Sequence, residues 1–240
     1  MHTETDESLL ALLTQSPLFE GADGVELQAA LAASSQRRVE KGEFFFHQDE
    51  PAGFFYVLVE GQVRLSQLTV EGHQVIVRFM GPGDSIGIIV ALSNTSYPLS
   101  TEAVTDCLAL RWDYVSTIRL MEQHSRLCLN GLRLIAGHFE ELLDRYRELS
   151  TERVERRIAR VLLRLARQTG RRTDHGVLID LPLSRQDLGE MTGTTLYTVS
   201  RTLSSWEQQG LIESGREQVI ICNPHGLVSI AEDLPLAKKP

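Results

Sequence analysis

No cysteine precedes Cys107, and the three in the chain, Cys107, Cys128 and Cys222, are odd in number and far apart. That excludes a disulfide framework and a CxxC metal site, and leaves reduced structural thiols as the plain reading. No apolar run approaches the roughly 20 residues of a membrane-spanning helix, so no membrane partner is expected. The first residues are acidic and lack the positive region and apolar core of a secretory signal, which makes the cytoplasm the expected location. GxSxG, HExxH and P-loop motifs are also missing. The scattered carboxylates offer no identifiable acid/base pair, and no enzyme activity is expected.

What is present is an ordinary globular composition, 42% hydrophobic and 23% charged over 240 residues, long enough for two domains with separate cores. The net charge of −8 is unevenly spread. Residues 1–150 carry 11 Lys and Arg against 21 Asp and Glu, a net of −10, whereas residues 151–240 carry 13 against 11, a net of +2. Two halves of different charge suggest two tasks, the second half being the candidate for meeting a polyanion.

After a short helical lead, residues 36–112 read as many short β-prone runs. Turn signals separate them, at Lys41-Gly42, Glu60-Gly61, Glu71-Gly72 and Gly81-Pro-Gly-Asp84. From about Asp113 the period becomes helical, and one central helix is expected. Cys128, Leu132, Ile135, Phe139, Leu142, Tyr146 and Leu149 alternate at spacings of four and three, the seam of a self-pairing helix, so a homodimer is expected. A break near Ser150 precedes a second helix with Val154, Ile158, Val161, Leu162 and Leu165 on one face. Its other face carries Arg156, Arg157, Arg160, Arg164 and Arg167, readable equally as a solvated face or as a basic surface.

Ser184 with Asp187 forms a capping box that opens a short helix, and Gly193 suits a tight turn into the next one. In that next helix Leu196, Val199, Leu203 and Trp206 share one expected core face, while Tyr197, Ser200, Arg201 and Ser204 share the opposite one. Helix, glycine turn, helix and a following hairpin over residues 210–222 make the pattern of a winged helix-turn-helix. Arg201 can donate two parallel hydrogen bonds to guanine, and the hydroxyls can reach phosphates or base edges of double-stranded DNA.

These residues resemble the cyclic-AMP receptor protein/fumarate-nitrate reduction regulator family over roughly residues 15–230. Residues 42–65 and Gly81-Pro-Gly-Asp84 are similar to the family's double-stranded β-helix signature, and residues 184–201 to its helix-turn-helix. The stretch from Gly193 to Arg201 also looks like the nitric-oxide-responsive denitrification regulators. The resemblance implies an α+β chain with three parts and a tail. A jelly-roll sensor domain spans residues 1–112, a dimerisation helix 113–150, a winged helix-turn-helix 151–230 and a disordered tail 231–240. It also implies a homodimer on a palindromic site, with RNA polymerase as a further partner. Arg201 matches the family's guanine-reading arginine and Ser200 the serine of the fumarate-nitrate branch, while Arg185, Thr195 and Thr198 match phosphate-facing positions. Tyr197 stands where the best-known branches carry a glutamate, which changes the third determinant of the half-site.

In the family's cyclic-AMP binders a Gly-Glu-x-x-Leu motif and a later Arg-Ser pair hold the ligand. Here Ile88 replaces the glutamate and Leu99, before Ser100, replaces the arginine, so cyclic AMP is not the expected effector. Four cysteines for an iron–sulfur cluster are absent. Ile86, Ile88, Ile89, Leu99, Ser100 and Leu142 are the expected pocket residues. The cofactor stays open between haem, an apolar or carboxylated metabolite, and none, with His47, His73, His124 and His138 as candidate haem ligands. One other class stands beside the regulator: a small-molecule binding protein whose helix-turn-helix serves protein interaction.

Overall fold

The computed structural model describes residues 2–88 and 96–234, with side chains from Asp6 onward. The chain divides into two compact units, residues 1–141 and 142–240.

The first unit is built on two four-stranded antiparallel sheets. One has the order β1 (Ser35–Val39), β8 (Cys107–Asp113), β3 (Phe54–Glu60), β6 (Ser85–Ile86). The other has the order β2 (Phe44–Phe46), β7 (Ser100–Ala103), β4 (Val63–Leu68), β5 (Gln74–Met80). Strand alternation sends Tyr56, Leu58, Ile86 and Ala109 from one sheet against Val63, Met80 and Ala103 from the other, and this is the core of the roll. The residues between them on β3 and β8, Phe55, Val57, Leu110 and Trp112, point the other way. They lie under α1 (His2–Gln15), α2 (Gly24–Ala32), α3 (Tyr114–Gln123) and α4 (Ser125–Thr151). Trp112 is buried there, and its indole N–H donates to the Ala30 carbonyl at 2.8 Å, which satisfies its one polar atom.

The single helix expected over residues 113–150 is two, because His124 leaves helical geometry at φ −126°, ψ 84°. α3 buries Thr117, Leu120 and Met121, while the longer α4 runs on into the second unit.

In the second unit α5 (Val154–Thr169) buries Ile158, Val161, Leu162 and Leu165, the stripe expected from its 3.6-residue period, with Val154 half-buried. Its arginine face resolves as an internal ion network. Arg156 and Arg160 pair with Glu152, and Arg160 also with Glu232 at 3.1 Å. Arg164 holds Glu148 through both terminal nitrogens, and Arg157 donates to the carbonyls of Thr192 and Glu152. Only Arg167 of the five is exposed. Beyond α5 come β9 (Gly170–Thr173), β10 (Gly176–Ile179), α6 (Arg185–Thr192), α7 (Leu196–Gln208), β11 (Ile212–Ser214), β12 (Val219–Ile221) and α8 (Pro224–Ala231). The strands form one antiparallel sheet in the order β11, β12, β10, β9.

Candidate nucleic-acid interface

Local chemistry fixes the α6–turn–α7 unit. The Ser184 hydroxyl accepts from the Asp187 N–H at 3.0 Å while the Asp187 carboxylate accepts from the Ser184 N–H at 2.8 Å, so α6 starts where the sequence places it. α6 ends on Gly193 at φ +61°, ψ 43°, a left-handed residue that favours glycine. At Gly189 a Cβ would stand 2.9 Å from the Thr194 carbonyl oxygen, so this glycine lets the turn close onto α6. Its need is invisible from sequence spacing. Thr195 then caps α7, accepting from the Thr198 N–H at 3.2 Å.

α7 buries Val199, Thr202, Leu203 and Trp206. Leu196, expected in this face, is the first residue of the helix and is 49% exposed. Thr202 is buried in its stead. The opposite face presents Tyr197 at 73% exposure, with Arg201 and Ser204 exposed and Ser200 half-buried. Tyr197 and Arg201 are one helical turn apart and lie side by side. Arg201 has no hydrogen bond or ion pair among the described residues, so its five donors are available.

The expected phosphate-facing residues divide. Thr195 and Thr198 sit on the edge of this face with their hydroxyls 3.0 Å apart. Arg185, at the start of α6, donates to the Ser214 hydroxyl at 3.2 Å, and that hydroxyl donates to Glu207 at 2.6 Å. Arg185 is thus tied to the β11–β12 hairpin, a relay formed by residues far apart in sequence.

The expected effector-pocket residues are not brought to one wall. Ile86 belongs to the core between the sheets, whereas Ile88 packs with the helices on the other side of the first sheet. Leu99 is half-buried, and the Ser100 hydroxyl accepts from the Gln48 N–H at 2.9 Å. Ile89 lies outside the described residues. Leu142 belongs to the second unit and is half-exposed.

The candidate haem ligands are dispersed. His47 and His73 are exposed, His47 stacking on Phe44, and the His124 imidazole lies 3.3 Å from Glu26. His138 sits among Arg78, Asp84 and Glu141, and burial, then the Arg78 charge, holds its imidazole below the ordinary histidine range. Among the described residues His47 and His73 face solvent and His124 and His138 are set against charged side chains, surroundings that suit a haem ligand poorly. Among the described residues no cluster of three or more His, Cys, Asp or Glu side chains is placed to hold a metal ion.

Along α4 the expected seam is split. Cys128 and Ile135 pack against the core of their own unit, whereas Leu132, Phe139, Leu142, Tyr146 and Leu149 are 50–72% exposed. Leu129 and Leu143, outside the expected pattern, are exposed as well. Together they form a row of large apolar side chains exposed along one helix.

Comparison with known proteins gives two matching family models, a cyclic nucleotide-binding domain over residues 36–124 and a Crp-like helix-turn-helix domain over residues 156–230. The cyclic AMP receptor protein of Thermus thermophilus is 31% identical over 205 residues, 83% of this chain and 89% of that protein. The transcriptional activator protein anr of Pseudomonas aeruginosa is 26% identical over 195 residues, 81% of this chain and 80% of that protein. Among solved structures, FixK2 from Bradyrhizobium japonicum matches with a TM-score of 0.73 at 29% identity, covering 82% of this chain and 96% of that one.

Proposed function

The chain belongs to the cyclic-AMP receptor protein/fumarate-nitrate reduction regulator family of transcription regulators, and from that premise we propose that it is a homodimer reading a palindromic DNA site under the control of its first unit. The observation that carries this reading is the polar face of α7, where Arg201 is exposed and, among the described residues, unpaired while Val199, Leu203 and Trp206 lock the opposite face into the core. A helix so held inserts its free face in a major groove, Arg201 donating bidentately to guanine, with Ser200, Ser204 and Tyr197 against neighbouring bases. Arg185, Thr195 and Thr198 supply phosphate contacts that position the helix. Two copies joined along the exposed apolar row of α4 read half-sites about 34 Å apart.

The relatives are transcriptional regulators and not enzymes, and RNA polymerase is the partner that reading implies. No helix among the described residues is long and apolar enough to cross a membrane. Apolar residues at Ile88 and Leu99 support an effector other than cyclic AMP.

The test is selection of bound sequences from random duplexes by the full-length protein. Wild type should enrich a palindrome, and its affinity should fall steeply with salt as phosphate contacts release counterions. Arg201→Ala should remain dimeric and lose the enrichment at one base pair of each half-site. No enriched sequence and no salt dependence for wild type would favour the helix-turn-helix as a protein-interaction module.

A further inference from the structure

The pairing of β4 with β5 places an arginine on the inner side of the roll. Leu65 lies opposite Arg78 on one side and opposite Thr101 of β7 on the other, while Val63 lies opposite Met80 and Ala103. Side chains two apart on a strand share a face, so Arg78 and Thr101 flank Leu65 on the face whose Val63, Met80 and Ala103 form the core between the sheets. The Arg78 side chain is 16% exposed. Its Nε and Nη1 are buried without a hydrogen-bond partner among the described residues, and so is the Thr101 hydroxyl on a fully buried residue.

A guanidinium stays charged at any physiological pH and carries five donors. Arg78 uses one nitrogen: Nη2 lies 3.4 Å from Glu141 Oε2 on α4, long for a charge-assisted contact, and the Glu141 side chain is 52% exposed. Asp84 is also near, but its carboxylate accepts from the Gly81 N–H at 2.8 Å, and burial raises its pKa. The positive charge therefore lacks a full set of acceptors, a costly state for buried donors.

We propose that Arg78 is the anchor for a small carboxylate effector with an apolar body, and that this ligand binds by displacing Glu141. The proposal rests on reading the first unit as the sensor. Its anchors are Arg78 on β5, Glu141 on α4 and Thr101 on β7; Thr101 directly follows Ser100 and Glu141 directly precedes Leu142, both among the expected pocket residues. Geometry sets the exchange. Either bidentate edge of a guanidinium includes Nη2, and Nη2 is the nitrogen that Glu141 now holds, so a two-oxygen ligand must take its place. Charge sets the class. With Asp84 and Glu141 beside a single arginine, a monoanion is favoured over a phosphate dianion, and the partly buried Leu65 beside Arg78 suits an apolar body. Thr101 offers a second polar contact. Because Glu141 is carried by α4, its release loosens the tie between β5 and the helix that bears the exposed apolar row.

Calorimetric titration of the full-length dimer without DNA, using benzoate, hexanoate and inorganic phosphate, tests the exchange. At least one carboxylate should bind at millimolar concentration, where fragments of this size bind when a site fits them, and phosphate should bind more weakly. Glu141→Gln removes the internal competitor at a half-exposed position and should tighten carboxylate binding about fivefold or more; Arg78→Gln should abolish it. The proposal is overturned if neither carboxylate binds, if phosphate binds more tightly, if Glu141→Gln leaves affinity unchanged, or if a folded Arg78→Gln protein binds as wild type does. Since no operator is present, each of those outcomes leaves the DNA-reading assignment standing.

Discussion

Arg164 holds Glu148 with both terminal guanidinium nitrogens, at 2.8 and 3.2 Å, and so fastens the last turns of α4 to the middle of α5. The Glu148 side chain is 7% exposed and that of Arg164 32%. Next to this pair Glu152 takes Arg156 and Arg160, and Arg157 grips the Glu152 and Thr192 carbonyls. The junction of the two helices and the end of α6 are thus bound by one set of arginines. Placement of α6 relative to the end of α4 depends on them.

Truncating Glu148 should expose how much this clamp contributes. Glu148→Ala leaves a charge without its partner. We expect a loss of about 2 kcal/mol in the stability of the second unit, less than the roughly 3–5 of a fully buried pair because Arg164 is partly hydrated. Urea unfolding followed by hydrogen exchange of α5 amides measures it. A Glu148→Met/Arg164→Met double variant should recover most of the loss, since replacing both charges removes the unpaired group; a loss below about 0.5 kcal/mol for Glu148→Ala would show that the pair is merely solvated.

Phe139, 60% exposed near the middle of the α4 row, should act as a dimer anchor. Phe139→Asp should weaken self-association by roughly 30-fold or more, the scale of a hot-spot loss, whereas Phe139→Leu should change it little. Sedimentation equilibrium of the full chain gives the answer. An unchanged dimer in Phe139→Asp would place the interface elsewhere.

Elements with strong local periodicity were legible in the sequence: the α5 stripe, the Ser184/Asp187 capping box and the left-handed turn at Gly193 each depend on residues within one or two turns of each other. The arginine face of α5 was not, because its partners Glu148 and Glu232 lie 16 and 72 positions from Arg164 and Arg160. Ile86 and Ile88, two apart, share a face by strand period. Gly87 at φ +75° turns the chain between them and sends them into different cores. Leu196 looked buried by helical period, but period alone does not supply a neighbour, and at the first position of α7 its side chain stays 49% exposed.

Tyr197 should set one base of the half-site. Its phenol offers a ring face and one hydroxyl, and it cannot supply the carboxylate that accepts from cytosine N4. Replacing it by glutamate should shift the preferred base pair at one position of each half-site toward C·G, with a discrimination of about 1–3 kcal/mol, while Arg201 keeps its guanine. Comparing sequences selected by wild type and Tyr197→Glu decides the point. Identical preferences would mean that Tyr197 faces no base.

His138 should make the first unit sensitive to mild acid. Burial, helped by the Arg78 charge and opposed by Glu141 and Asp84, lowers its pKa from the ordinary 6.5. As pH falls through 6.5 the unfolded chain takes up a proton that the folded imidazole still refuses. The unfolded state then binds more protons, so stability declines until the folded pKa is passed and is level below it. Asp84 acts in the opposite sense, since its folded pKa is raised above 3.8: between those two values the folded carboxyl binds the proton first, and acidification there restores stability. The decline just below pH 6.5 therefore belongs to the histidine and should flatten in His138→Gln, while Asp84→Asn should leave it in place and remove the recovery at lower pH. Thermal unfolding of the full chain across this range, at constant ionic strength, distinguishes the two contributions; an unaltered acid slope in His138→Gln would assign it to another group.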